Sequence, residues 1–246
     1  MVTRQQRRTE PHTRLVLQEG DFDAGAARLA PERPPEDAPE DEPLECVPMP
    51  RWKRAMDVVL ATGALVALAP VFAVVAVLVK LDSPGPAVFR QRRVGRGGAE
   101  FVCFKFRSMY VDAEERLAML AHLNEAQGHV FKIRNDPRRT RIGKVLRKTS
   151  LDELPQFWNV LRGDMTLVGP RPPLVTEVER YEARERLRLR GTPGITGPWQ
   201  VSARERHDFE EMLQLDIDYL DSISFTRDCA LLLATIPAVL GARGSH

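Results

Sequence analysis

The 246-residue chain is poor in cysteine and has no lysine in its first fifty residues. Its three cysteines, Cys46, Cys103 and Cys229, are widely spaced and form no CxxC or Cys/His pattern. That spacing argues against a disulfide framework and a zinc site, and it favours reduced thiols packed as small apolar groups in the cytosol. No apolar stretch follows the start, which argues against a signal peptide.

Charge is unevenly distributed along the chain. Residues 1–50 contain six Arg against eleven acidic residues, whereas residues 51–246 contain 30 basic and 23 acidic residues. A basic body suits anionic partners such as lipid headgroups, phosphorylated substrates or nucleic acid. Because the leader is acidic, we predict no nucleic-acid partner.

The composition predicts three regions. Residues 31–50 contain seven prolines, seven acids and few apolar groups, so they bury too little surface to offset their ordering entropy. We predict a disordered leader over residues 1–48, a membrane helix over 49–82 and a domain on the membrane surface over 83–246.

The membrane helix allows two interpretations. Residues 58–79 carry no charge, and as a straight helix they would be about 33 Å long, which matches a hydrocarbon core of about 30 Å. Pro70 favours a kink near the middle, and basic residues flank both ends. The residues alone favour a straight span, and a bent helix with both ends in the cytoplasm is the alternative.

The remaining segments predict a predominantly helical α+β fold. Two β-rich runs around a Gly-rich turn indicate a hairpin over residues 87–109, and residues 165–168 form a short extended run. Residues 191–198 are typical of a rigid loop. Helices are predicted over residues 113–126, 138–148, 151–161, 174–190, 209–221 and 225–240.

Two adjacent carboxylates, Asp152 and Glu153, open the predicted helix over residues 151–161. One interpretation is structural: Ser150 and Glu153 form a capping box, and both acids stabilise the helix by interacting with the positive end of its dipole. The other is chemical: the dipole keeps Asp152 ionised, so that it can attack phosphorus as a nucleophile. Attack on a diphosphate needs a divalent cation and basic groups nearby, and Glu153 is a suitable Mg²⁺ ligand.

Three basic features could bind phosphate or lie in solvent. Arg171 lies between two prolines, which stiffen its backbone and would make it a rigid phosphate clamp or an exposed loop residue. Lys105 and Arg107 lie on one face of the second hairpin strand, which could bind phosphate or be solvated. The basic run over residues 138–148 is interpreted as a membrane-surface patch.

The chain from residue 51 to residue 246 resembles the bacterial sugar transferase family, the monotopic phosphoglycosyl transferases that act on polyprenyl phosphate. The stretches that carry this resemblance follow in the family's order: RAMD at 54–57, FKFRSM at 104–109, FKIRNDP at 131–137, TSLDELPQ at 149–156, NVLRGDM at 159–165, VGPRP at 168–172, and PGITG with WQV at 193–201.

The resemblance implies a site. Asp152 corresponds to the nucleophile and Glu153 to its partner at a Mg²⁺ ion, while Arg171 matches an Arg linked to phosphate binding. Arg204 would contact the donor, although Ala203 stands where relatives often have glycine. The membrane helix would be re-entrant and broken at Pro70, with amphipathic helices at the interface.

The resemblance also implies a function. A UDP-sugar would donate a sugar phosphate to Asp152 and release UMP, and polyprenyl phosphate would then accept it, as the first membrane step of exopolysaccharide or O-antigen assembly. The ending over residues 236–244 is similar to that of the hexose-1-phosphate members. We expect the cytoplasmic face of the bacterial inner membrane, membrane lipids as partners and, as an open alternative, a homo-oligomer.

Two other classes of protein stay open from the residues alone. A non-catalytic surface module that binds anionic lipid or scaffolds polysaccharide assembly would need only the basic body and the apolar helix. A single-span signalling protein would have the two ends of the apolar run on opposite sides of the membrane.

Overall fold

The computed structural model describes residues 44–116, 119–120, 133, 136–202 and 209–240. This part is predominantly helical with two two-stranded sheets, which confirms the α+β prediction. Most of the helix predicted over residues 113–126 lies outside it. The elements are α1 (Arg51–Ala67), α2 (Ala69–Asp82), β1 (Val88–Val94), β2 (Glu100–Phe106), α3 (Arg141–Lys148), α4 (Gln156–Arg162), β3 (Thr166–Val168), α5 (Val175–Val178), α6 (Ala183–Arg186), β4 (Gly194–Thr196), α7 (Pro198–Ser202), α8 (Phe209–Asp221) and α9 (Phe225–Leu240), with 3₁₀ turns at Arg96–Gly98, Leu151–Glu153 and Leu187–Arg190.

The apolar run forms two helices, α1 and α2, that bend by 61° at Leu68. Pro70 lies in the first turn of α2, where its missing N–H and its ring end the preceding helix. Among the described residues no single helix has the length and apolar character to cross a bilayer, although the bent pair meets these criteria together. The straight helix favoured by the residues alone is therefore wrong, and the predicted kink is confirmed.

The hairpin of β1 and β2 agrees with its prediction. The strands pair antiparallel from Val88 with Phe106 to Val94 with Glu100. Gly97 and Gly98 in the connecting turn have φ angles of 67° and 82°, which glycine adopts without strain. The Gly-rich turn therefore sets the register that orients β2.

A second sheet was not predicted. β3 pairs in parallel with β4, so that Thr166 lies beside Gly194 and Val168 beside Thr196. The segment at residues 191–198, predicted to be a loop, thus contains a strand. Gly194 has no space for a side chain, because an added Cβ would lie 2.1 Å from the amide nitrogen of Gly169.

The single helix predicted over residues 174–190 is wrong. Two four-residue helices and a 3₁₀ turn replace it. A glutamate caps the N-terminus of each short helix, because Glu177 accepts a hydrogen bond from the N–H of Leu174 and Glu185 accepts one from the N–H of Glu182. The interruptions allow the 3₁₀ turn to bury Arg188, which a continuous charged helix would expose.

The basic surface patch is smaller than predicted. Arg138 is buried and forms a 2.6 Å ion pair with Asp136. Arg141, Lys144 and Lys148 are exposed on α3.

The end of the predicted leader packs against the body. The N–H of Val47 donates to the carbonyl of Arg190 at 2.9 Å, and Val47 contacts the main core. The prediction of a disordered leader stays a prediction for residues 1–43.

Candidate functional site

The Asp152–Glu153 pair lies in a 3₁₀ turn rather than at the start of a long helix. Ser150 precedes it with a left-handed φ of 55°, and Pro155 separates the turn from α4 because it cannot donate a helical hydrogen bond. The side chain of Ser150 makes no capping hydrogen bond, so the predicted capping box is wrong. A three-residue turn also provides little helix dipole.

Asp152 is buried, with 8% of its surface exposed. Burial raises the pKa of its carboxyl group above 3.8, and the charge of Glu153 raises it further. The charges of Lys105 and Arg147 oppose this effect. The predicted dipole effect, which would lower the pKa of Asp152, is therefore wrong: its pKa is raised, and the neighbouring cations only reduce that rise.

Lys105 reaches the carboxylate pair from β2. Its Nζ atom lies 2.7 Å from Oε1 of Glu153, and both side chains are partly buried. Asn159 of α4 holds the strand in place, because its amide accepts from the N–H of Phe104 at 3.0 Å and donates to the carbonyl of Val102 at 2.7 Å. The structure thus brings Lys105 to the predicted site.

Two more cations surround the same region. Burial raises the pKa of the Cys103 thiol, while the charges of Lys105, Arg93 and Arg171 lower it and that of Glu153 raises it. Burial and the charge of Arg171 lower the pKa of Arg93 to about 10. Because Arg171 and Glu153 both act on Cys103 and on Arg93, they belong to one electrostatic neighbourhood.

Arg107 does not have the predicted phosphate-binding position. Its guanidinium is buried and donates to the carbonyls of Val79, Ser83 and Pro84, where it closes the end of α2. β2 ends at Phe106, so the strand alternation that would align Lys105 with Arg107 does not extend that far. Arg204 lies outside the described residues.

The carboxylate pair could hold a divalent cation only with additional ligands. Within the described residues no group of three or more His, Cys, Asp or Glu side chains could bind a metal. Mg²⁺ often takes one or two protein carboxylates and completes its shell with water and substrate phosphate. The repulsion between Asp152 and Glu153, which a cation would relieve, fits such a site.

Two basic side chains of this site were missed from the sequence. Arg147 was assigned to the membrane-surface patch, but its charge acts on Asp152. Arg93 was counted among the basic residues that flank the apolar run, but it is buried. The proximity of Arg147 to Asp152 had a local signal, since α3 ends just before the carboxylate turn. Arg93 had no such signal, because β1 is far from the carboxylate turn in sequence and approaches it only in the folded chain.

Two carboxylates with Lys105 and Arg147 acting on Asp152, and with Arg93 and Arg171 close to Cys103 of the same strand as Lys105, form a candidate site for a phosphorylated substrate. The fold that carries this site also has a bent apolar helix pair. The chain belongs to the bacterial sugar transferase family, whose model matches residues 49–242. That match confirms the resemblance drawn from the motifs.

Curated relatives agree with the family. The chain is 47% identical over 199 residues to the galactosyl transferase CpsE of Streptococcus agalactiae, which covers 78% of this chain and 43% of that protein. It is 40% identical over 198 residues to the exopolysaccharide production protein ExoY of Rhizobium meliloti, covering 79% and 88%. It is 40% identical over 206 residues to a UDP-glucose:undecaprenyl-phosphate glucose-1-phosphate transferase of Caulobacter vibrioides, covering 80% and 73%. The chain thus spans less than half of the first of these relatives.

Proposed function

We propose that the protein transfers a hexose 1-phosphate from a UDP-sugar to undecaprenyl phosphate, releases UMP and forms a covalent intermediate on Asp152. The observation that carries this proposal is a buried carboxylate beside Glu153 and within the field of Lys105 and Arg147. The names of the relatives, which include galactose and glucose transferases that use undecaprenyl phosphate, support the two substrates.

The first step is an exchange at the phosphorus that bears the sugar. A carboxylate oxygen of Asp152 forms a bond to that phosphorus, and the bond from phosphorus to the bridging oxygen breaks, so that UMP leaves with the electron pair. Lys105 and Arg171 offset the negative charge of the diphosphate while the anionic nucleophile approaches.

In the second step, an oxygen of the lipid phosphate attacks the same phosphorus. The bond to Asp152 breaks, which regenerates the carboxylate and yields a diphosphate-linked sugar on the lipid. We propose that Asp152 and Glu153 hold a Mg²⁺ ion, which would supply neutralising charge to the diphosphate when bound.

We further propose that the bent pair of α1 and α2 is a re-entrant membrane anchor. Lys53 and Arg54 at the start of α1 donate to the carbonyls of Val168, Val160 and Leu161. Arg107 donates to the end of α2. The same domain thus binds the start of α1 and the end of α2. If the bend between them inserts into a bilayer, both ends of the pair therefore lie on the same face of the membrane.

Exposed apolar side chains on both helices support this anchor. Four valines are each more than half exposed: Val59, Val66, Val74 and Val77. Contact of so much apolar surface with water is unfavourable, and such a patch is typical of a membrane or protein contact. The positively flanked ends are consistent with the cytoplasmic face of the bacterial inner membrane. Cysteine labelling at both ends of the pair in intact cells tests this, and a single-span protein would label one end from outside.

The activity is tested by UMP release from detergent-solubilised protein. UDP-galactose, UDP-glucose and their N-acetylated analogues are each incubated with undecaprenyl phosphate and Mg²⁺. We expect release with one hexose donor, loss in Asp152→Asn and retention in the matched control Asp112→Asn, an exposed acid paired with Arg116. Full UMP release by Asp152→Asn would refute the assigned nucleophile, and no release with any donor would favour the lipid-binding scaffold.

A further inference from the structure

The loop that carries Arg171 is held through its carbonyl groups. Pro170, Pro172 and Pro173 have no N–H, so three of the four residues at 170–173 cannot donate a backbone hydrogen bond. All four carbonyls instead accept one: Pro170 from the N–H of Gly194 at 2.8 Å, Arg171 from Arg188, Pro172 from Arg93, and Pro173 from the N–H of Val94 at 3.0 Å. Side-chain guanidinium groups thus provide two of the four contacts.

Arg188 supplies the contact to the carbonyl of Arg171 itself. Its Nη2 atom lies 3.2 Å from that oxygen and 2.6 Å from Oδ2 of Asp216, while Nη1 donates to the hydroxyl of Tyr181. Burial alone would lower the pKa of Arg188, but the carboxylate of Asp216 raises it. Asp216 therefore keeps a buried cation charged and fixes its direction.

Arg93 supplies the contact to the next carbonyl along the loop. Its Nη1 atom donates to Pro172, while Nε and Nη2 share Oε1 of Gln91 at 3.1 and 2.8 Å. These partners are neutral oxygens, so they orient the guanidinium without cancelling its charge. The side chain of Arg171 between the two holding points is exposed.

We propose that Arg93 and Arg188 are positioning residues for sugar-phosphate transfer, which grip the carbonyls of Pro172 and Arg171 and thereby aim the exposed guanidinium of Arg171 at the substrate phosphate. This inference rests on the proposed function. Guanidinium groups suit the task because each can donate in two directions at once, to the loop and to its own support. Lysine keeps the charge and lacks that planar fork.

A double-mutant cycle tests the inference. Arg93→Lys and Arg188→Lys are each made alone and together with Arg171→Ala, and kcat/KM is measured from UMP release with UDP-galactose or UDP-glucose. Each single variant is expected to lose on the order of ten- to a hundredfold, because a small misplacement of a clamp is costly. With Arg171 already removed, the same changes should cause no further loss.

Arg107→Lys is the matched control, since Arg107 is also buried and also donates to backbone carbonyls, but at the end of α2. It should lower activity by the same factor with and without Arg171. If Arg171→Ala falls below detection, Arg171→Lys serves as the background. The thermal midpoint of each variant, measured in the same detergent, separates loss of folding from incorrect positioning of the Arg171 side chain.

The outcomes distinguish the two proposals. Equal losses from Arg93→Lys and Arg188→Lys in both backgrounds, or an Arg171→Ala variant with normal activity, would overturn the positioning roles and leave the transferase proposal standing. A wild-type protein that releases no UMP from any donor, although folded, would overturn the proposed function and the positioning roles that depend on it.

Discussion

Two buried carboxylates in this protein have opposite surroundings. Asp228 is fully buried and accepts from the ammonium of Lys53 and, at 2.6 Å, from the hydroxyl of Tyr219. We call Lys53, Tyr219 and Asp228 the anchor cluster, because Lys53 also binds the carbonyl of Val168 at 2.9 Å and so fixes α1 to β3. Asp152 is nearly as buried, but its strongest charged neighbour by effect on its pKa is another carboxylate, Glu153.

The comparison separates structural charge from functional charge. In the anchor cluster the partners satisfy each other, and the result is a fixed junction between the bent apolar helix pair and the rest of the domain. At the Asp152–Glu153 turn the two carboxylates repel each other, which costs folding free energy that a bound cation could offset. A site that is strained without its ligands is one expected of a catalytic centre.

The largest expected effect comes from Asp152→Asn, which should change activity and stability in opposite directions. Transfer should fall by about a thousandfold or more, since the nucleophile is lost. The folded-state pKa of Asp152 is raised, so its ionisation costs stability as the pH rises from 3.8 to that pKa and the cost persists above it. The thermal midpoint at pH 7 should therefore rise, and a lower midpoint would contradict the repulsion.

Breaking the anchor cluster should lower stability, in contrast to Asp152→Asn. Lys53→Met leaves Asp228 buried without its cation, which costs about 3–5 kcal/mol of unfolding free energy. Denaturant unfolding in detergent measures the loss, and adding Asp228→Asn to Lys53→Met should recover much of it. A Lys53→Met variant as stable as the wild type would show that this pair is not the junction we infer.

Asn159 supports the strand that carries Lys105, and its loss should have an intermediate effect. Asn159→Ala leaves the N–H of Phe104 and the carbonyl of Val102 without their amide partner, which costs about 1–3 kcal/mol. Because β2 then loses its support, Lys105 should also lose its alignment with Glu153 and kcat should fall. Unchanged unfolding and unchanged kcat would mean that the amide does not hold the strand.

The smallest expected effects are shifts of the pH profile. Glu153 raises the pKa of Asp152 and Lys105 lowers it, so the acid limb of kcat/KM should move to lower pH in Glu153→Gln and to higher pH in Lys105→Met. Glu100→Gln, in the exposed pair with Arg92, is the control and should leave the limb in place. Shifts of the same sign in both variants would contradict the assignment of the limb to Asp152.

Local features of the fold were predictable from the sequence, whereas long-range ones were not. The Gly-rich turn of the hairpin and the bounds of α8 and α9 follow from neighbouring residues, and the structure confirms them. The parallel pairing of β3 with β4 joins two three-residue strands that are far apart in sequence. Strands of three residues are too short to show the alternation of apolar and polar residues that identifies a strand in sequence. Their pairing depends on the packing around them.

The candidate site shows the same division. Asp152, Glu153, Lys105 and Arg171 could be named from motifs. The charges of Glu153 and Lys105 act on Asp152, and those of Lys105, Glu153 and Arg171 act on Cys103 of the same strand. The burial of Arg188 could not be predicted, since its partner Asp216 lies 28 residues away in sequence and meets it only in the folded chain. Basic residues in a charged segment are otherwise expected to face solvent.

The most direct test of the central claim is to trap the sugar phosphate on the protein. Wild-type protein and Asp152→Asn are incubated with UDP-galactose or UDP-glucose and Mg²⁺ without lipid acceptor, quenched in acid, and analysed by peptide mass spectrometry. We expect a hexose-phosphate adduct on the peptide that contains Asp152, together with stoichiometric UMP. Undecaprenyl phosphate should remove the adduct, and Asp152→Asn should not form it. UMP release that requires the lipid acceptor, with no adduct at Asp152 under any condition, would contradict this expectation.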